Sequence, residues 1–463
     1  MNERINNKIK KKYLSFNLAL TVFLVLATNS FAQSSETRKM DFGENGNQIH
    51  FDMDLESGKM YVSAIYTNGE INGTSFLLNR DFIITKIQYD GKELKIDEIK
   101  KIILIDDYEI AQYNLPDFEQ YIYIEYTGVL SGTTGIAPYV REKITPEFTY
   151  LRWETFFHPF FTNATSEEEL LEDFSQPYLY NLQITVNVPH DHIAAFGHND
   201  VQQVNNLDKV SFITSGNLPF SSIAIAIAEY QKMELQTGDY YFLKSTNTQK
   251  ALDIIDPTMT YAYKFMSRHF GEMKLKGKLR AIEIPRGLGG FGITETHTTF
   301  IENGVLNSNL NMGHLVHEFI HLGWNAKTSD YIVQRARFFD EAFTSYFEFR
   351  VMEDLLGEDV AKKYIGNFHN TRGLELVPIK DFGKYEYGNL SYTIGALFLF
   401  ELSQLLRVDV FDEVTTKFLQ KYRDTPVNFD LFCTFYIDQT TNPELEGFFH
   451  RWIYTNEYSD TIH

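Results

Sequence analysis

The feature that most restricts how this chain can fold is a change in the spacing of its apolar residues near Gly238. Up to about Glu229, β-branched and aromatic residues come in short runs bounded by Gly, Asn and Asp, as in 59–66 and 121–126, which is the composition of strands. Residues 182–188 alternate apolar with polar, the pattern of a half-buried strand, and 222–228 are near-continuously apolar, the pattern of a strand covered on both faces. Beyond Gly238 the period lengthens. Thr248 to Phe270 repeats its apolar residues as an amphipathic helix does, and further helical stretches begin near Asn311, Asp340, Tyr392 and Val410. One layer cannot serve both periods, so the pattern predicts an α+β multidomain chain: an N-terminal all-β domain followed by a mainly helical one. Within the second part, Leu279 to Ile284 reads as a strand running into the glycine-rich segment 287–292, where missing side chains let the backbone approach a ligand. The spacing of those glycines is not that of a dinucleotide or Walker loop.

A chain of 463 residues has room for two or three domains. Its first 32 residues stand apart: Lys8, Lys10, Lys11 and Lys12 precede an apolar run from Leu18 to Ala27, followed by Ser30 and Ala32. That order predicts a secretory signal cleaved after Ala32, because the run is shorter than the roughly 20 residues of a spanning helix. The expected organisation is therefore a signal peptide at 1–32, a β domain at 33–238 and a mainly helical domain at 239–463, exported to a periplasmic or secreted location with no integral membrane segment after signal removal. The oligomeric state is left open. With Lys and Arg at 42 against Asp and Glu at 62, the net charge of -20 repels phosphate and excludes a nucleic-acid partner. The single cysteine, Cys433, permits no internal disulfide in an exported chain, which must be held by its core, with a metal as the one further staple open to it.

The metal has a candidate site. His317-Glu318-Phe319-Ile320-His321 places two imidazoles four residues apart, on one face of a helix, with Glu318 beside them to act on the metal's water. Leu315, Val316, Phe319 and Ile320 supply an apolar surround, and Asn311 supplies an N-cap. A catalytic zinc takes three protein ligands and keeps one place open, and Glu341, on the next predicted helix, completes a His2Glu set. Glu348 lies two turns further along the same face, placed to accept the second ring proton of a ligating histidine and fix its tautomer.

With Ser391-Tyr392-Thr393-Ile394-Gly395-Ala396 added, the chain resembles the gluzincin metallopeptidases of the aminopeptidase N and leukotriene-hydrolase family. The resemblance implies a thermolysin-like zinc peptidase domain behind an N-terminal β domain, one zinc per chain held by His317, His321 and Glu341, and a peptide or protein substrate. It implies Glu318 as general base and Tyr392 as the hydroxyl stabilising the oxyanion, with Tyr385 and Tyr387 as fallbacks. It also implies that Gly289 and Gly290 line the substrate. The family's Gly-x-Met-Glu-Asn loop holds the substrate amine through its glutamate. Here the matching segment is Gly289-Gly290-Phe291-Gly292-Ile293, with glycine at the glutamate's place and Glu295 as the nearest substitute carboxylate. The expected function is a secreted zinc peptidase, aminopeptidase-like in its machinery. A glycyl-aminopeptidase-like or endopeptidase member of the same clan is the alternative carried by His321-Leu322-Gly323-Trp324-Asn325. A third reading is an exported binding protein with a structural zinc, although a closed structural site has no need of Glu318.

Overall fold

In the computed structural model the described residues are 46–461, except 70, 72, 106–107, 135–140, 167–168, 171–172, 174–178, 198–200, 220–222, 236–237, 272–278, 294–297, 307–311, 322, 325–337, 372–374, 383–389, 424 and 426. The signal segment at 1–32, Glu295, Asn311, Tyr385 and Tyr387 lie outside them.

The first half is built on an eight-stranded sheet. In spatial order it runs Val201–Asn205, Val210–Pro219, Leu179–Val188, Asn47–Asp54, Lys59–Thr67, Tyr121–Val129, Ile83–Tyr89 and Lys92–Glu93. Its pairs are antiparallel except Asn47–Asp54 against Leu179–Val188. Strands Asn47–Asp54 and Tyr121–Val129 alternate buried with part-exposed residues, so one face is apolar and needs a cover. A four-stranded sheet containing Ser75–Asn79 and Tyr108–Asn114 provides it, and Phe51, Val62 and Ile124 share a core with Phe76, Leu78 and Ile110. Each such side chain removed from water is worth roughly 1.5–3 kcal/mol.

The second half opens with a five-stranded sheet, ordered Gln231–Glu234, Gly238–Phe242, Leu279–Ile284, Thr298–Glu302 and Phe291–Ile293. Its three central strands are parallel and the short outer ones antiparallel. Leu279–Ile284 is buried at every position because both faces are covered: Leu279 and Ala281 face the helical core, while Ile282 and Ile284 meet Tyr150 and Ala226 from the β half. The chain is thus a strand-rich N-terminal domain followed by a helical one. Helices Thr248–Phe270, Met312–His321, Phe343–Leu356, Glu358–Phe368, Ala396–Leu406, Val408–Tyr422 and Phe429–Thr440 pack around one aromatic-rich core. Within it the Phe339 and Phe429 ring centroids are 4.9 Å apart and those of Phe418 and Phe432 5.4 Å apart. Among the described residues no helix is long and apolar enough to cross a membrane.

Candidate metal centre

The motif lies on helix Met312–His321, whose Leu315, Val316 and Ile320 are fully buried in the helical core. Burial of that side fixes the helix rotation, and His317 and His321 then share the remaining face. The chain returns as a π-helical turn, Phe338–Ala342, that runs into helix Phe343–Leu356. Single π turns recur where a side chain must be re-aimed, and this one carries Glu341. Trp324, just past the motif helix, donates its indole N–H to the Phe339 carbonyl at 2.5 Å and ties the two segments together.

The resulting geometry is convergent. His317 Nε2 is 3.1 Å and His321 Nε2 3.3 Å from the same atom, Glu341 Oε2. On the far side of each ring a second carboxylate waits. His317 Nδ1 is 3.2 Å from Glu348 Oε2, and His321 Nδ1 is 3.0 Å from Asp340 Oδ1 and 3.3 Å from the hydroxyl of Thr344, which itself donates to the Asp340 carbonyl oxygen. Tyr364 donates its hydroxyl to the other Glu348 oxygen at 2.7 Å. The approach of Glu348 and Tyr364 depends on Gly313, where a Cβ would lie 2.4 Å from Glu348 Oε1 and 2.1 Å from the Tyr364 hydroxyl.

These contacts set the tautomers. A carboxylate at Nδ1 keeps the proton there, leaving both Nε2 lone pairs and a carboxylate oxygen aimed at one another. Three acceptors cannot satisfy each other without a positive charge between them. In the metal-free protein protons supply it: burial opposes the charge on His317, but Glu341 and Glu348 outweigh it and lift that imidazole to about 9. His321 is likewise raised well above its ordinary value against burial, by Asp340 and Glu341. Burial also opposes the charge on Glu341, and the imidazoles overcome it and hold its carboxyl far below the usual range. A zinc ion suits the same place. His317, His321 and Glu341 form the one metal-capable His, Cys and carboxylate cluster among the described residues, with donor atoms within 4.8 Å of one another. Tetrahedral zinc with bonds of about 2.0–2.1 Å keeps its donors roughly 3.3–3.4 Å apart, close to the 3.1 and 3.3 Å that separate the two Nε2 atoms from Glu341 Oε2.

Glu318 is buried beside this cluster and is not one of the converging donors. Tyr392 sits on a second π-helical turn, Ser391–Gly395, pressed against the first: a Cβ on Gly395 would lie 2.7 Å from the Ala342 Cβ. Its ring stacks on that of His317 at 5.8 Å and keeps 38% of its surface exposed, so it faces both the centre and the solvent. Desolvation and the carboxylates of Glu341 and Glu318 raise its hydroxyl well above the ordinary range, so it stays protonated and able to donate. Gly289 and Gly290 lead into the edge strand Phe291–Ile293, which includes Gly292.

Thus His317, His321, Glu341, Glu348, Glu318 and Tyr392 come together. Sequence reasoning missed Asp340, Tyr364 and Gly313. Asp340 had a faint signal in its place beside Glu341; Tyr364 had none, because only the folding back of helix Glu358–Phe368 brings it near Glu348. His158 and His192 stand apart from the centre. Burial pushes His158 down to about 3, and His192 Nε2 bonds the Pro146 carbonyl.

No protein-family model matches the sequence, and no curated protein sequence matches it. Solved structures do. An M1 zinc metallopeptidase from Deinococcus radiodurans superposes with a TM-score of 0.60 at 13% identity, covering 88% of this chain and 92% of its own. A mutant of it bound to a Tyr-Ser-Ala substrate gives 0.57 at 13% identity, with 88% and 93% covered. Yeast LTA4 hydrolase in complex with bestatin gives 0.56 at 13% identity, covering 92% of this chain and 71% of its own. The strand-rich domain, the helical domain and the order in which they follow one another are those of the two-domain M1 zinc metallopeptidases, and this chain has their fold.

Proposed function

We propose that this protein is a zinc-dependent, aminopeptidase-like peptidase. The observation that carries the reading is the meeting of two Nε2 atoms and one carboxylate oxygen, each imidazole backed by a carboxylate, beside a buried Glu318 that is spared from the donor set. A structural site would have no use for that spare carboxylate. The fold shared with M1 zinc metallopeptidases supports the same conclusion, and peptides are the substrates it suggests.

His317, His321 and Glu341 would hold one zinc per chain, which when bound acidifies its water and polarises a carbonyl. Glu318 takes a proton from the attacking water as the new C–O bond forms. The Tyr392 hydroxyl donates to the oxyanion that develops on the substrate carbonyl, an interaction absent from the ground state. Glu318 then gives its proton to the leaving nitrogen as the C–N bond breaks. Gly292 brings no charge to the edge strand, so a free amine gains nothing there, and the enzyme accepts acetylated as well as free amino termini. The N-terminal segment directs export.

The deciding experiment is Glu318→Gln. The amide keeps the shape but takes no proton, so the variant should retain zinc and lose turnover by several orders of magnitude. A rate within about tenfold of the parent would mean a different base. Cleavage of one peptide with its amino terminus free and acetylated tests the specificity; strict rejection of the acetylated form, abolished by Glu295→Gln, would restore an ordinary aminopeptidase.

A further inference from the structure

The three metal-ligating side chains are each held by two partners. His317, His321 and Glu341 each have partners on neighbouring elements, whereas the nearest ring nitrogen to Glu318 Oε1 on its own helix is Nε2 of His314, at 3.7 Å. The two are four residues apart on the motif helix and share a face. The imidazole is 44% exposed, so it is not packed in the core for its own sake. Its other neighbour is the glycine segment: a Cβ on Gly290 would lie 3.2 Å from His314 Nε2 and 2.4 Å from the Phe300 carbonyl oxygen. Glycine at 290 avoids a collision with the Phe300 carbonyl oxygen and leaves the segment's backbone close to the ring. His314 stands between the base and the start of the edge strand Phe291–Ile293.

We propose that His314 is a positioning residue for Glu318, a strut that orients the carboxylate and couples it to the glycine segment. The proposal rests on the peptidase reading. A base that moves a proton through one oxygen works best with the other oxygen restrained, and a ring nitrogen one turn away supplies that restraint. A spacing of 3.7 Å is longer than a hydrogen bond, and such contacts shorten when substrate displaces solvent.

The test is a double-mutant cycle on the zinc-loaded protein, using His314→Ala, Glu318→Gln and the pair. The readout is the affinity of a hydroxamate dipeptide measured by calorimetry, which needs no turnover. His314→Ala should weaken binding about tenfold in the parent and have no further effect in Glu318→Gln. It should lower kcat with KM nearly unchanged, and His314→Gln should recover part of the loss, with zinc content as in the parent. Equal losses in the two backgrounds, no loss at all, or loss of zinc from His314→Ala would each overturn the proposal while leaving the peptidase reading intact. A zinc-loaded parent that neither binds the hydroxamate nor cuts peptides would overturn both.

Discussion

Each imidazole of the centre touches a different carboxylate at Nδ1, so the two supports can be removed one at a time. Replacing Glu348 by Ala frees the His317 ring to rotate and leaves the Tyr364 hydroxyl without its acceptor. Zinc affinity should fall about 10- to 100-fold, the usual effect of losing such a partner, as read by competition with a chelating dye. Undiminished affinity would show that Glu348 is a buffer of charge and not an orienting group. Tyr392 makes a different demand, because its hydroxyl acts on charge that exists only in the transition state. Tyr392→Phe should cut kcat by about 100- to 1000-fold, roughly 2.7–4 kcal/mol, with KM little changed. An equal loss from Tyr385→Phe or Tyr387→Phe would move the role to one of those tyrosines.

At the scale of elements the centre is an agreement between the motif helix and two π-helical turns. The π turns aim Glu341 and Tyr392 inward, and Gly395 lets one turn rest on the other. Gly313 does the same for the motif helix and the Glu348–Tyr364 pair. Gly313→Ala should leave helix content unchanged, since Ala favours a helix more than Gly does. Its Cβ nevertheless collides with the Tyr364 hydroxyl and Glu348 Oε1, so zinc affinity should drop while circular dichroism stays constant. Adding Tyr364→Phe, which removes the nearer of the two atoms, should restore part of the affinity. If the double variant binds no better than Gly313→Ala, the collision is not the cause.

For the whole molecule, zinc is a ligand of the folded state alone and should raise stability by about 2.7 kcal/mol at a hundredfold excess over Kd. The size of the effect should depend on pH. His317 is raised to about 9 in the metal-free protein and has an unperturbed value near 6.5 in the unfolded chain. The stability its proton lends is complete below 6.5 and lost as pH rises through 9. The zinc-loaded protein has given up that proton already. The difference in Tm between zinc-loaded and chelator-treated samples should therefore widen between pH 6.5 and 9, and a gap that narrows over this range would contradict the assignment of His317 as a ligand.

What the sequence determined by itself is whatever depends on neighbours within a turn or two. The strand-to-helix change, helix Thr248–Phe270, strand Leu279–Ile284 and the shared face of His317 and His321 all follow from local periodicity. The next helix was legible too, and a carboxylate among aromatic residues, as Glu341 is, needs a metal or a counter-charge. Tertiary structure alone decided the pairing of Asn47–Asp54 with Leu179–Val188 across most of the β half, the π turns that aim Glu341 and Tyr392, and the carboxylate each imidazole receives. Strand order and side-chain partners are set by where distant segments cross, and a period of two or 3.6 residues carries no information about that crossing. The roles of Tyr364 and Gly313 exist only because helix Glu358–Phe368 folds back and helix Phe343–Leu356 settles against the motif helix, and that of Asp340 because its turn meets His321; each acts through an atom that belongs to another element.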